Sequence, residues 1–458
     1  MTTENTSVTA QIAEWVEGAT YESIPQVGIE RVKERVIDSL AVQFAGMSVD
    51  TGQIISEWVR DMGAREESSV VASDLRTTAA FATLINATAG HALEYDDTSV
   101  SSGHYANPVT AAALAVGEKV GASGEDVVLA WMTGYEVVAA VAKATNTPKG
   151  NSLLVNGFFN QGFYPVFGCA AIAGKLMGLD AWQIRMAFGN AATAMSGMMK
   201  NRGSHSKAFT AGNAAMHGVM AAELASKGFT ANEDIFDSDI GVARLMNLEY
   251  GDAEAMLQGL GNWHMAELGS NLRLHASCMA GHWSAEALRE ILEKEKFDSS
   301  EVVSIHATVN DFLMPSKPYH APTTGLTAKY SVEYDLAAMA LDGRLGIAQF
   351  SDEAVNRPEV RELMGKVDLE LIEGVVGTVP LESTVTVVLD DGRTLQATNN
   401  MTRGNMGDPL SRDELLGKFD ECSEGLIGPA QRDEILALCD RLESLADIRE
   451  LTSAYAKR

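Results

Sequence analysis

Cysteine is scarce: the chain of 458 residues has four, at positions 169, 278, 422 and 439. They are too dispersed for a zinc knuckle, a CxxC redox pair or an iron–sulfur cradle, so reduced thiols in a cytoplasmic protein are expected. Cations are also few, 35 Lys and Arg against 62 Asp and Glu, for a net charge of -27. Such a field repels nucleic acid and anionic membrane, and neither is expected as a partner. No N-terminal apolar run with a cleavage site and no long uninterrupted apolar segment occurs, so neither a secretion signal nor a membrane span is expected. The first residues, 1–7, read as a frayed polar tail. An anionic substrate would need a positive site built against the global field, which makes any clustered Lys or Arg informative.

What is present is mostly helical pattern. Ile24-Pro25 opens a helix to about Phe44, with Val32, Val36, Ile37, Leu40 and Phe44 at helical spacing and Gly46 as its expected end. Residues 77–90 are poor in charge and rich in small side chains, as in a tightly packed internal helix. A second buried helix starts near Pro108, whose missing N–H costs nothing in a first turn. Ser123-Gly-Glu-Asp126 caps an almost wholly apolar helix over 127–142. A helix from Trp182 to about Met195 and another over 211–225 follow, and no strand pair is expected before about residue 265. Residues 301–309 then alternate with period two, and 383–389 with 393–398 form a hairpin around Asp390-Asp391-Gly392. Helical patterns at 283–296 and 331–345 lie between them, and the last segment returns to helix with Ser411-Arg-Asp-Glu414 as a capping box before Leu415–Phe419. The expected fold is mainly α. A large all-helical domain, residues 1–265 completed by 408–458, carries an inserted smaller α+β domain, 266–407. The cleft between the two is the default ligand site.

The chemistry is concentrated between two of these helices, in His91-Ala-Leu-Glu-Tyr-Asp-Asp-Thr98 and the loop that continues to Pro108. Three carboxylates, the Thr98 hydroxyl and His104 crowd a short run. Carboxylates there either cap and pair locally, the reading favoured for Asp96 and Asp97, or face a cleft with shifted pKa values. An imidazole beside them can carry protons near neutral pH. Lys200, Arg202 and Lys207 form a basic cluster, rare in this chain, running into the helix expected at 211–225. Its bland alternative is a solvated loop. A helix N-terminus welcomes an anion, and Lys207 could grip a carboxylate or act as acid or base. The spacing of the acids and His104 fits no standard metal-ligand pattern, so no metal is expected.

Glu94-Tyr-Asp-Asp-Thr98 followed by His104 resembles the aspartate-rich signature and downstream histidine of the MmgE/PrpD superfamily. That group contains 2-methylcitrate dehydratases, cis-aconitate decarboxylases and iminodisuccinate epimerases. Ile37–Gly46, Ser123–Glu136, Lys227–Thr230 and Asp408–Phe419 resemble other signatures of the group in the same order. The resemblance implies an active-site role for His104, and for Glu94 in place of an aspartate, a carboxylate displaced by about one methylene. It also implies roles for Lys207 and for Arg273 in place of a lysine. His275, and Tyr319 on a loop where the family has a substrate-facing tyrosine, become candidates, whereas His282 reads as structural. One departure is chemical: Phe159 stands where the family has a histidine, and an apolar ring donates no proton, so Tyr164 is a possible substitute.

The resulting expectation is a cofactor-independent enzyme that abstracts a proton alpha to a carboxylate and stabilises the carbanion. Arg273, Lys207 and Arg202 would hold carboxylate oxygens, His104 and Lys207 would move protons, and Glu94 and Thr98 would orient them. A lyase of the dehydratase type comes first, then an epimerase or decarboxylase on the same scaffold. The alternative from another class is a non-catalytic carboxylate-binding homologue. A homodimer is implied by the resemblance.

Overall fold

The computed structural model describes residues 7–99, 103–147, 150–374 and 381–457. Of the tail expected over residues 1–7, residues 1–6 lie outside the described residues, as do loop residues 100–102, whereas Ser7 caps the helix Val8–Gly18. The fold is mainly helical, with one four-stranded sheet and two pairs of two-residue strands. Those two small pairs, 68–69 with 76–77 and 146–147 with 150–151, fall in the part read as wholly helical.

The helix Gln26–Met47 buries Val32, Val36, Ile37, Leu40 and Phe44. It runs past Gly46, its expected terminator. At Gly46 an added Cβ would collide with the Ala89 backbone of the helix Ala79–Gly90, so this glycine serves a close crossing rather than a helix end. Ala79–Gly90 is capped by Thr78, whose hydroxyl accepts the Phe81 N–H at 3.3 Å. Its other side meets the helix His205–Ser226, where a Cβ on Gly212 would strike Thr88 and the Leu84 carbonyl. Two backbone-to-backbone contacts therefore fix the end of Ala79–Gly90, and with it His91, against the helix that carries Lys207.

Gly124–Lys143 begins with the expected capping box, Ser123 and Asp126, and is buried along nearly its whole length. It packs on Tyr164–Leu176, which also contacts His205–Ser226. The helix expected from Trp182 to Met195 spans Ala181–Ala192, with its own capping box at Asp180 and Gln183.

The sheet has the order Val367–Ile372, Val302–Asn310, Ser383–Leu389, Thr394–Asn399. Its first pair is parallel and the other two antiparallel. Gly392, at φ 89°, makes the hairpin turn that Asp-Gly announced. The strand Val367–Ile372 was not anticipated, although Val-Asp-Leu-Glu-Leu-Ile alternates. Helices His282–Lys294 and Val332–Asp342 cover the sheet. The chain then returns: Arg412–Ser423, with the capping box of Ser411 and Glu414, packs on Gln26–Met47, and Phe419 meets Phe44 edge-on at 5.9 Å. Among the described residues no helix is long and apolar enough to cross a membrane.

Candidate active site

Residues 91–98 follow directly on the tightly crossed helix Ala79–Gly90 and are buried together. Glu94 has φ 54°, a left-handed conformation that costs a non-glycine residue about 1 kcal/mol or more. It is held by ion pairs, one carboxylate oxygen on Lys207 and the other 3.2 Å from Arg273 Nη1. Lys207 lies in the first turn of His205–Ser226, which starts six residues before the expected 211, with Ser204 as its N-cap and Gly203, at φ 75°, just before that.

Arg273 is the hub. Its Nε donates to the Asp96 carbonyl at 2.5 Å, and Nη1 donates to Glu94 and to the Ser277 carbonyl at 3.2 and 3.0 Å. Nη2 donates to the Asp96 carboxylate at 2.8 Å and faces Nδ1 of His104 at 2.6 Å. All five N–H groups of a guanidinium are thereby directed at protein acceptors. His104 Nδ1 also lies 2.6 Å from the Asp97 carbonyl, but one nitrogen cannot both donate and accept. Because arginine stays protonated, the arrangement that satisfies it assigns the lone pair to His104 Nδ1 and the proton to Nε2.

Asp96 crosses over to Arg273 and also pairs locally, accepting from His91 Nδ1 at 2.6 Å. That bond leaves His91 Nε2 as the basic nitrogen, with no hydrogen-bond partner among the described residues. Burial, reinforced by Lys207 and Arg273, holds His91 well below the usual imidazole range, and burial with Arg273 does the same for His104. Both rings are neutral at pH 7, and their centroids are 5.0 Å apart. Asp97 caps locally, accepting the Ala106 N–H at 3.0 Å. Burial, with Asp96 and Asp38 nearby, raises its carboxyl to about 7.

In front of this network lies a pocket whose lining includes Thr51, His91, Lys207, Ser204, Lys329 and Tyr330. Its lining draws on residues 51, 91–92 and 203–208 on one side and on residues 326–330 on the other. Burial and the Arg273 charge push the Lys207 ammonium well below its ordinary value, against the opposing pull of Glu94. Phe159 is buried with its ring 5.4 Å from the Arg202 guanidinium and 6.0 Å from Lys207 Nζ, a π face that shields both cations from water. A second depression, around Arg35, Met406 and Arg412, has no lysine or histidine in its wall.

The structure thus brings Glu94, His104, Lys207 and Arg273 into one network, but of these only Lys207 lines the pocket. Arg273, Arg202, His275 and Tyr319, candidates for direct substrate contact, turn polar groups to protein partners in this structure. Arg273 has no donor to spare for a carboxylate. Arg202 donates from Nη1 to the Pro315 carbonyl, at 2.5 Å, and from Nη2 to Ser316, at 3.2 Å. His275 is occupied by Glu286 at 2.6 Å. Thr98 is held by its backbone, paired with Asn271 at 2.8 and 2.7 Å, which ties the acidic run to the segment before Arg273. Tyr319 donates to the Arg202 carbonyl at 3.0 Å and steadies the turn beside Gly203 rather than facing the pocket. His282 bonds the Ser277 carbonyl, a structural part, and Tyr164 turns its hydroxyl to Thr145. His91, Lys329 and Tyr330 were missed. A lone histidine ending a helix, or a Lys-Tyr pair amid polar sequence, carries no local signal of convergence.

His91, Asp96 and His104 bring ligand-type atoms within 4.8 Å of one another, a grouping that spacing did not foretell. Arg273 Nη2 already stands within hydrogen-bond distance of both His104 and Asp96. A permanent cation there disfavours a second, so the set suits proton handling better than metal binding.

The sequence pattern of the MmgE/PrpD N-terminal domain matches residues 10–251, and that of the MmgE/PrpD C-terminal domain matches residues 275–442. The chain belongs to the MmgE/PrpD family. Among similar proteins is the human cis-aconitate decarboxylase, 26% identical over 462 residues, which cover 98% of this chain and 94% of that protein. The mouse cis-aconitate decarboxylase is 26% identical with 97% and 93% covered, and that of Aspergillus terreus is 26% identical with 97% and 95% covered.

Proposed function

We propose that this chain is a cofactor-independent lyase that acts on a small polycarboxylate in the pocket between its two parts, with decarboxylation as the first reading. The observation that supports it most is Lys207, a buried ammonium in the first turn of a 22-residue helix, facing a pocket whose wall also holds His91 and Lys329. An anion finds a cation and a helix N-terminus together there. The relatives' activity on cis-aconitate supports the same substrate class.

In a β,γ-unsaturated acid, the C–C bond to one carboxylate breaks and CO2 leaves. The electron pair spreads over the allyl unit into a retained carboxylate, and one proton delivered to the far carbon completes the reaction. Lys207, made a stronger acid by its surroundings, is suited to deliver that proton. Glu94 and Arg273 position it, and His104 braces Arg273. Decarboxylation needs this single proton delivery. Dehydration needs a base for the α-proton and an acid for the leaving hydroxide, and Phe159 removes one group that could serve.

Dehydration is the second reading, favoured by one observation: the partner-free Nε2 of His91, set by Asp96, places a base in the same wall as the acid Lys207. The two separate by product. Incubation with di- and tricarboxylates, cis-aconitate included, in heavy water without added metal should release CO2 and leave one new deuterium in the product by NMR. Lys207→Gln should lower kcat by about 100-fold or more, the usual share of a general acid. Exchange of the substrate's own α-proton, with water loss, would instead establish dehydration. Binding without turnover would favour a carboxylate-binding homologue. Dependence on a divalent ion would overturn the cofactor-free reading.

A further inference from the structure

The pocket wall carries a second lysine outside the network described above. Four lysines are buried among the described residues: Lys207, Lys317, Lys329 and Lys418. Three have a carboxylate: Lys207 pairs with Glu94, Lys317 with Asp335, and Lys418 with Asp38. Lys329 pairs with none among the described residues. Its Nζ makes one long hydrogen bond, 3.4 Å, to the Ala92 carbonyl. Its backbone is pinned from behind, because its carbonyl accepts the Cys278 N–H at 2.9 Å and Lys317 Nζ at 3.1 Å. The side chain is thus mounted on a rigid support at the pocket, on the α+β side, facing Lys207 and His91 from the helical side.

A buried amine without a counter-charge is costly, and folding alone gives no reason to keep one where methionine or leucine would pack. An anion entering the pocket supplies the missing partner. Arg273 spends all its donors inside the protein and Arg202 directs two of its own at Pro315 and Ser316, so a substrate with two or more carboxylates gains from another cation opposite Lys207. We propose that Lys329 binds a second carboxylate of the substrate, making the site select di- and tricarboxylates whose anionic groups bridge the helical and α+β parts. This rests on the carboxylate-lyase reading and deepens it.

Burial alone brings the Lys329 ammonium down to about 7, so above that pH the free site holds a neutral amine. A carboxylate placed against it restores the charge, and binding should draw in a proton. The other titratable groups facing it are Lys207, His91 and Tyr330 across or beside the pocket, and Lys317 behind its carbonyl.

The test uses propane-1,2,3-tricarboxylate, which is saturated and has neither an allyl unit nor a hydroxyl to lose. Calorimetric titration in buffers of differing ionisation enthalpy, at about pH 8, reads proton uptake on binding. The wild type should take up about one proton, and Lys329→Met should bind about tenfold or more weaker, as expected for loss of a charged partner. Lys329→Arg, always charged, should keep the affinity within a few fold and lose the uptake. Lys329→Met should melt no lower than the wild type, since it removes an unpaired buried amine. Unchanged affinity in Lys329→Met would overturn the proposal. Undiminished uptake in Lys329→Arg would do the same, because the proton would then go to Lys207 or His91. If the wild type turns over cis-aconitate and Lys329→Met does so with unchanged kcat/KM, Lys329 alone is removed from the site. If the wild type neither binds the probe nor turns over any acid of the panel, the carboxylate reading fails and this inference fails with it.

Discussion

Asp97 and Lys207 are buried within one network, and burial drives both toward neutrality from opposite directions. Asp97 gains a proton more readily in the folded chain, at about 7 against 3.8 as the ordinary value. A raised carboxyl stabilises the fold fully below its unfolded pKa and loses that contribution as pH rises through the folded one. Asp97→Asn keeps an acceptor for the Ala106 N–H and carries no charge. Its stability relative to the wild type should therefore rise from pH 4 to 8, by an amount on the order of a few kcal/mol, in urea melts at each pH. A flat difference over that range would show that Asp97 stays ionised. Lys207 gives the opposite dependence in rate. If it donates the proton, kcat should fall as pH rises through its depressed pKa, and pH profiles of the wild type would show this limb.

The helix Arg412–Ser423 reaches the acidic run through Glu421, which accepts from the Tyr95 hydroxyl at 3.2 Å, and above all through Lys418. Lys418 Nζ pairs with Asp38 at 2.6 Å and donates to the carbonyls of Tyr95, at 2.7 Å, and Arg273, at 2.9 Å. It lies 4.2 Å from the Tyr95 ring centroid. It thereby joins the acidic run 91–98 to the Arg273 segment from behind. Lys418→Met leaves Asp38 buried without a counter-charge and should cost about 3–5 kcal/mol. The double change Lys418→Met with Asp38→Leu should recover most of that stability. It should not recover kcat, because the two carbonyls stay untethered and Glu94 and Arg273 lose their mutual register. Full recovery of kcat in the double variant would show Lys418 to be structural only.

Across the whole molecule, a net charge of -27 surrounds a pocket that gathers Lys207 and Lys329. A polycarboxylate approaches against that field, and salt screens distant surface charges far more than buried ones. Raising ionic strength should therefore increase kcat/KM by a few fold, with little change in kcat. A decrease would mean that local attraction dominates the encounter.

Much of this was legible in the chain itself, where the physics is local. Apolar spacing set the helices, Ser123 with Asp126 and Ser411 with Glu414 set two of their starts, and Asp-Gly set the hairpin, because each rests on residues within one or two turns of one another. The resemblance of residues 94–104 located the acidic run, and the order of the signatures anticipated the family. Sequence could not tell that Gly46 is a crossing point, since that depends on Ala89 in another helix. Nor could it tell that Arg273 faces inward, that Asp96 spans the network, or that His91 and Lys329 meet Lys207. Those outcomes follow from backbone contacts between distant helices, which decide which polar groups are close enough to satisfy one another and which are left to face a ligand.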